Sequence, residues 1–312
     1  MGHSNQTPAL EEPRFELSER QVRQLADELV EYHGQFKELF HHSEQVHWAL
    51  KYLQGLMLPG CDKSVEGIAQ AVEGGNVRNM QQFLGEGAWD DEALLARHAE
   101  LVAESLGEPD GVLIIDGSQF PKKGEYSAGV GRQWCGVLGK VDSCQAGVFL
   151  GYASSQGHTL LDRRLYLPRE WFEPSSRERW ERCGIPDETQ FRTKPELAWE
   201  MIQRLIEQDA LPCRWVTCDE AYGDSPQLLD RIDETGLWYF ADVSCSTRVW
   251  RQRPETQVPD YSGHGRPPSR PRLAEHAPEP ERVDELARSL PEDAWSRHRV
   301  KDGEKGPIEA QF

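Results

Sequence analysis

Apolar residues in the first third of the chain recur every three or four positions, the spacing that places them on one face of a helix. The pattern runs from Phe15 to about Leu106 and includes Val22, Leu25 and Leu29. No stretch in this part alternates apolar and polar residues as a half-buried strand does. The pattern therefore predicts an all-α domain over residues 1–108.

Residues 63–89 predict two short helices that meet at the glycine pair 74–75. This spacing is typical of a helix-turn-helix motif. Arg78, Asn79 and Gln82 would then lie on the outer face of the second helix, where their side chains can reach the edges of DNA bases. An ordinary pair of packed helices fits the same spacing, so the pattern leaves both interpretations open.

The hydrophobic period changes at Gly111, where GVLIIDG forms a compact apolar run that is typical of a buried strand. Strand-like stretches follow at 143–154 and 158–168, and the Gln-Gly pair between them is a hairpin signal. The pattern then predicts a helix at 194–208, a strand at 214–219, a helix at 225–236 and a strand at 237–243. The order β-β-β-α-β-α-β predicts an α/β domain with a mixed sheet over residues 109–250.

Residues 251–280 are rich in Pro, Arg, Gly and Ser, a composition typical of a loop or an insertion. A short helix at 281–290 and the start of a strand at 295–300 are predicted after it. We assign residues 251–312 to this insertion and to the start of an incomplete C-terminal part.

Composition narrows the classes of partner. The formal net charge of −18 argues against a protein that coats nucleic acid by bulk attraction, so any DNA contact must come from local basic patches.

No apolar run is long enough to span a membrane, and the N-terminal sequence lacks the pattern of a secretory signal. The seven cysteines show no close pair that indicates a zinc site or a disulfide framework. We expect a cytoplasmic protein.

Two aspartates end predicted strands: Asp116 the first strand and Asp219 the fourth. Hard divalent cations prefer oxygen ligands, and a pair of carboxylates is what Mg²⁺ usually accepts from a protein. Each aspartate taken singly also fits a structural role, because acidic residues at strand ends often cap turns or helices. As a pair they favour a metal site.

Five ordered blocks of sequence resemble bacterial insertion-sequence transposases of the DDE superfamily. The blocks are IIDGSQFPKKG, LGKVDSCQAGV, RRLYLPREW, FRTKPELA and CDEAYGDSP. The helical stretches WALKYLQGLML and SVEGIAQAV are similar to that family's N-terminal region. The resemblance covers residues 15–312, nearly all of the chain.

The resemblance implies an RNase H-like core in which the first and fourth strands are neighbours. It implies that Asp116 and Asp219 are catalytic residues that bind Mg²⁺ or Mn²⁺, two ions if the site is complete. Many relatives carry an acid directly after the first aspartate, where this chain has Gly117.

A third acid, a Glu on a later helix in such relatives, has no matching segment here. We interpret the candidates Glu285, Glu304 and Glu309 as structural or surface residues, and we expect a C-terminally truncated chain whose activity is in doubt.

Basic residues near the first aspartate are candidates for DNA contacts. Lys122 and Lys123 would meet a backbone phosphate, and Arg132 and Lys140 would extend the patch. A solvated loop explains the same charges. Tyr222 is a candidate for stacking on a base. The arginines in or beside the proline-rich stretch either bind DNA phosphates or belong to a basic linker without a ligand. They are Arg248, Arg251, Arg253, Arg266, Arg270 and Arg272.

The function that the resemblance implies is a DNA transposase: metal-dependent cleavage at the ends of an insertion sequence, then strand transfer into target DNA. Double-stranded DNA is the expected partner, and a homodimer is left open. The alternative is a catalytically dead DNA-binding relic or regulator of transposition. An aspartyl-phosphate hydrolase is disfavoured, because such enzymes usually carry a second acid two residues after the first and this chain has Ser118.

Overall fold

The computed structural model describes residues 18–260, 263, 268–303 and 306–311. Its contacts divide the chain into two compact units: Met1–Gly107 with Gln208–Leu211, and Glu108–Glu207 with Pro212–Phe312. The fold is mixed α/β. In the described ranges, no helix is both long enough and apolar enough to cross a membrane.

The first unit is helical throughout its described residues. Its helices are α1 (Glu19–Gly34), α2 (Ser43–Met57), α3 (Val65–Ala71), α4 (Val77–Gly85) and α5 (Asp91–Leu106). Polar residues fix several starts, because the side chains of Ser64, Asn76 and Asp90 accept hydrogen bonds from free N–H groups of the first turn.

Helices α2, α3 and α4 share one small core. Its buried members are Ile68, Ala69, Val72 and Met80, and Trp48, Tyr52, Val65, Val77 and Leu84 pack around them. Gly55 lets α2 approach α3 closely, because a Cβ at that position would lie 2.2 Å from the Cγ2 of Ile68.

The turn between α3 and α4 is made by glycines, as the sequence predicts. Gly74 has a φ of +69°, a conformation that residues with a side chain rarely adopt. On α4, Met80 and Phe83 are buried while Arg78, Asn79 and Gln82 are exposed. The polar residues therefore share a solvent-facing surface of α4.

The second unit contains one main sheet. Its strands are β1 (Val112–Pro121), β2 (Gly131–Cys135), β3 (Lys140–Ser154), β4 (Gly157–Tyr166), β5 (Trp215–Cys218) and β6 (Trp238–Ala241). The order is β2-β3-β1-β5-β6, and β4 also pairs with β3. β1, β5 and β6 run parallel, whereas β2, β3 and β4 form antiparallel pairs, so the sheet is mixed.

The helices of this unit are α6 (Arg177–Arg182), α7 (Lys194–Glu207), α8 (Glu220–Gly223), α9 (Pro226–Glu234) and α10 (Val283–Ser289). α7 packs on β3 and β4, and α9 packs on β6. We call the side of the sheet that carries Leu113, Ile115, Val148 and Leu150, all buried, the covered face. The other side, with Ile114, Asp116 and Phe120 exposed on β1, is the exposed face.

A buried ion cluster ties β4 to α7. Asp162 accepts hydrogen bonds from the guanidinium groups of Arg164 at 2.8 Å and Arg204 at 2.5 Å. Because Asp162 is almost fully buried, these partners are needed to keep its charge from destabilising the core.

Two details of the predicted strands were wrong. β1 does not end at Asp116 but continues to Pro121, because the long β3 pairs with it along its whole length. β2 was not predicted at all. It is short, contains two polar residues within GRQWC, and is held by its pairing with β3.

The last part of the chain forms short pieces of secondary structure. These are β7 (Arg248–Val249), β8 (Thr256–Gln257), β9 (Arg272–Leu273), β10 (Glu281–Arg282), α10, β11 (Arg297–Gly303) and β12 (Gly306–Gln311). β7 pairs with β10, β8 with β9, and β11 with β12. Arg266 and Glu304 lie outside the described residues.

The close approach of α2 and α3 generates a prediction. Gly55→Ala should destabilise the helical unit by about 1–3 kcal/mol, because the new methyl group must displace the buried Ile68. Gly85→Ala is the matched control: it also lies in a helix, and its Cβ would meet nothing within 4 Å. Urea unfolding followed by circular dichroism measures both variants. Equal stability of the two would show that α2 and α3 do not pack this closely.

Candidate functional site

Asp116 and Asp219 lie side by side at one place on the sheet. β1 and β5 are parallel neighbours, and the last pair in their register is Ile115 with Cys218. Asp116 follows Ile115 in β1, and Asp219 follows Cys218, the last residue of β5. The two aspartates are therefore neighbours across strands that lie about 4.8 Å apart. Both side chains are exposed.

Backbone N–H groups orient the two carboxylates. Gly117 N donates to Oδ1 of Asp116 at 2.6 Å, and Ala221 N donates to Oδ1 of Asp219 at 3.1 Å. Asp219 is the N-cap of α8, so the fold of that short helix fixes its position. In both residues Oδ1 is used by the backbone, which leaves Oδ2 for another partner.

The electrostatics of the pair are unfavourable without a cation. Burial raises the pKa of Asp219, and the negative charge of Asp116 raises it further; Asp242, which follows β6, adds a smaller effect. A divalent cation between the carboxylates would remove this repulsion, and the oxygen donors match the preference of Mg²⁺. The residues present therefore fit a hard divalent cation.

No complete metal cluster exists among the residues that the structure describes: no three His, Cys, Asp or Glu side chains come together there in a way that could hold an ion. Glu285 lies 3.8 Å from Arg282, and Glu309 lies 3.5 Å from Arg297, so each is paired elsewhere. Neither supplies a third carboxylate to the aspartate pair.

Tyr222 is placed differently from its predicted role. Only 1% of its surface is exposed, so no face of the ring is open for stacking on a base, and that prediction was wrong. Its hydroxyl is buried and has no hydrogen-bond partner among the described residues. The hydroxyl lies 3.4 Å from the place that a Cβ on Gly117 would occupy. Burial, followed by the charges of Asp219 and Asp116, raises the pKa of this phenol.

Lys194, at the start of α7, is a residue that sequence reasoning missed. Burial lowers the pKa of its ammonium group, while the charges of Cys144 and Asp219 act in the opposite direction. The ammonium also lies 5.3 Å from the centre of the Tyr166 ring. The block FRTKPELA contained the signal, but only the fold shows that the charge of Asp219 acts on this lysine.

The predicted basic patch lies at the far end of β1 and on the β2–β3 hairpin. Lys123 and Arg132 are exposed and Lys122 is partly so. Lys140 is held by an ion pair with Asp142 at 2.8 Å, and this contact lowers the pKa of Asp142. Its charge is therefore largely offset within the protein.

Of the arginines in the proline-rich stretch, Arg251 is paired with Glu281, Nε to Oε1, at 2.9 Å. Arg248, Arg253, Arg270 and Arg272 are all exposed. Trp250 donates its indole N–H to the carbonyl of Pro278 at 2.7 Å.

Comparisons with known proteins identify the family to which the sequence is similar. The sequence model of a family described as "DDE superfamily endonuclease" matches residues 35–307. The probable transposase for insertion sequence element IS701 from Microchaete diplosiphon is 30% identical over 198 residues, which cover 62% of this chain and 48% of that protein. The chain thus spans about half the length of the curated relative it matches. These matches confirm the resemblance that the sequence blocks indicate.

The repulsion between the aspartates generates a prediction about pH. A raised pKa of Asp219 in the folded chain means that stability is highest while this group is protonated and falls as the pH rises through the raised pKa. Asp116→Asn removes one cause of the shift. In metal-free buffer this variant should therefore lose less stability than the native chain between about pH 4 and about pH 7.

Thermal unfolding in EDTA at a series of pH values measures the difference. Asp233→Asn, at an exposed position on α9, controls for the general loss of one negative charge. If Asp116→Asn and the native chain lose stability in parallel, the carboxylates do not interact.

Proposed function

The chain belongs to the DDE superfamily of endonucleases, and we propose that it is a DNA transposase with an RNase H-like core that cuts and joins strands at the ends of an insertion sequence. The observation that carries the proposal is the pairing of β1 with β5, which sets Asp116 beside Asp219. The transposase from Microchaete diplosiphon supports it, although the similarity covers only about half of that protein.

In this proposal Asp116 and Asp219 are the catalytic, metal-binding residues. Each would offer its Oδ2 to Mg²⁺ or Mn²⁺ while the backbone fixes its Oδ1. Bound divalent ions supply an activated oxygen nucleophile and stabilise the leaving oxygen of a phosphodiester. The half-buried Lys194 would add positive charge near Asp219, where the phosphate of a substrate would lie.

Double-stranded DNA, both element end and target, is the proposed partner. Lys122, Lys123 and Arg132 form no ion pair in the described part of the chain, so their charges are available to phosphates. On the helical unit, Arg78, Asn79 and Gln82 would contact base edges from the exposed side of α4. A site with two carboxylates should bind its cation weakly and cut slowly.

The proposal predicts linked losses of metal binding and cutting. Asp116→Ala and Asp219→Ala should each lower Mn²⁺ affinity and reduce cutting of element-end DNA by orders of magnitude, because each removes a ligand. Asp110→Asn is the matched control, since this carboxylate precedes β1 and pairs with Arg214.

Mn²⁺ binding by calorimetry and strand cutting on denaturing gels provide the two measurements. Cutting that survives either alanine variant would contradict the assignment, as would equal Mn²⁺ binding by all variants.

The second candidate function is a catalytically dead DNA-binding protein that occupies element ends. The observation that favours it is the lack of a third acidic ligand beside Asp116 and Asp219 within the described ranges. A binding protein of this kind would need α4 and the basic residues but not the aspartates.

Gel shifts with element-end duplex separate the candidates. Arg78→Ala and Gln82→Ala should weaken end binding by about tenfold and reduce the preference for end sequence over random duplex, because base contacts carry specificity. Asp116→Ala should bind as the native chain does. End binding without any cutting in Mg²⁺ or Mn²⁺ would select the binding protein, whereas equal binding to ends and to random duplex would count against it.

A further inference from the structure

The hairpin of β2 and β3 carries exposed apolar side chains at its tip. Trp134 is 61% exposed and Val141, its partner in the register, is 52% exposed. Val137 and Leu138, in the turn, are 72% and 44% exposed. We call these four residues the hairpin tip. The side chain of Trp134 makes no hydrogen bond or ring contact within the part of the chain that the structure describes.

The surroundings of the hairpin tip are basic although the chain as a whole is acidic. Between residues 119 and 142 the sequence has four basic residues, Lys122, Lys123, Arg132 and Lys140, and two acidic residues, Glu125 and Asp142, of which Asp142 pairs with Lys140. The whole chain has a formal net charge of −18. An apolar tip inside a local excess of positive charge is complementary to nucleic acid rather than to an average protein surface.

The hairpin tip also lies on the exposed face, the face that carries Asp116. Asp116 pairs with Phe149 on β3, and alternate residues from Phe149 lead to Ser143 and Val141 on the same side. Ser143 pairs with Arg132, and Val141 pairs with Trp134. At about 3.3 Å per residue, Trp134 is about 25 Å along the sheet from Asp116, a span of about seven base pairs.

We propose that the hairpin tip is a DNA-bending wedge: Trp134 and its apolar neighbours enter the minor groove of duplex DNA about seven base pairs from the bond beside Asp116 and Asp219. Lys122 and Arg132, on the same side of the sheet, hold the phosphates on either side of the groove. Apolar wedges of this kind partly unstack a base step and kink the duplex. The proposal rests on the proposed function, because the DNA held by the wedge is the DNA at the aspartates.

A second copy of the chain is the other occupant that an exposed apolar tip would accept. The local positive charge disfavours it, since two copies would bring Lys122, Lys123 and Arg132 against their own counterparts. Self-association is therefore an outcome that the test must detect, not a part of the proposal.

The test uses the full chain in EDTA, so that no cutting occurs, and a random-sequence duplex of about two helical turns with a dye at each end. Energy transfer between the dyes reports bending, and titration reports affinity. Trp134→Ala should bind about tenfold more weakly and should not shorten the distance between the dyes. Trp238→Ala is the matched control, because Trp238 is also exposed but lies on β6, the edge strand farthest from β2.

A second pair of variants checks the flanking contacts. Lys122→Ala with Arg132→Ala should reduce the slope of log affinity against log salt by about two, because two phosphate contacts are lost. Leu138→Ser tests the hairpin tip at a position in the turn. Like Trp134→Ala, it should weaken DNA binding and reduce bending.

The outcomes are distinct. Binding and bending by the native chain and by Trp238→Ala, lost in Trp134→Ala, support the wedge. Binding and bending by Trp134→Ala equal to those of the native chain overturn it. If the native chain sediments as a dimer and Trp134→Ala as a monomer with unchanged DNA affinity, a second copy covers the tip and the wedge is also overturned. A native chain that binds no duplex DNA would instead remove the proposed function itself.

Discussion

The repulsion between Asp116 and Asp219 is the interaction on which the rest of this structure depends. Two acidic groups on adjacent strands destabilise a fold unless something offsets their charge. The pKa of Asp219 is raised first by burial and then by the charge of Asp116. The backbone of β1 and β5 nevertheless holds them together through a parallel register that is continuous from Val112 to Ile115. This juxtaposition is what supports the proposal that the pair binds a cation.

The two faces of the sheet differ: one carries the apolar core that holds the strands in place, and the other carries Asp116. On the covered face, α7 packs on β3 and β4 and α9 packs on β6, and apolar side chains of β1, β3 and β5 are buried there. Tyr222 lies on this side, next to Gly117. Its buried hydroxyl has no hydrogen-bond partner within the described residues. On the exposed face, β1 leads from Asp116 towards Lys122, and β3 leads beside it to the hairpin tip. This is the surface on which we propose that a duplex lies.

The sequence predicted those features that depend on local pattern. The helical period of the first unit, the glycine turn at Gly74 and the strands before Asp116 and Asp219 follow from spacing and turn chemistry alone. What it missed depends on partners distant in sequence. β2 is a strand only because β3 extends beside it, and Tyr222 is buried because α8 turns back under Gly117. Lys194 gains its relation to Asp219 only when α7 packs on the sheet.

The most direct test of a shared cation site is affinity cleavage of the protein by iron. Fe²⁺ bound in place of Mg²⁺ reduces added hydrogen peroxide to hydroxyl radicals that cut the nearest backbone, and ascorbate returns the iron to Fe²⁺. The account predicts that the native chain is cut at two places, near Asp116 and near Asp219, and that either single alanine substitution abolishes both cuts. Cuts at only one of the two strands, or cuts that persist after one aspartate is removed, would contradict it.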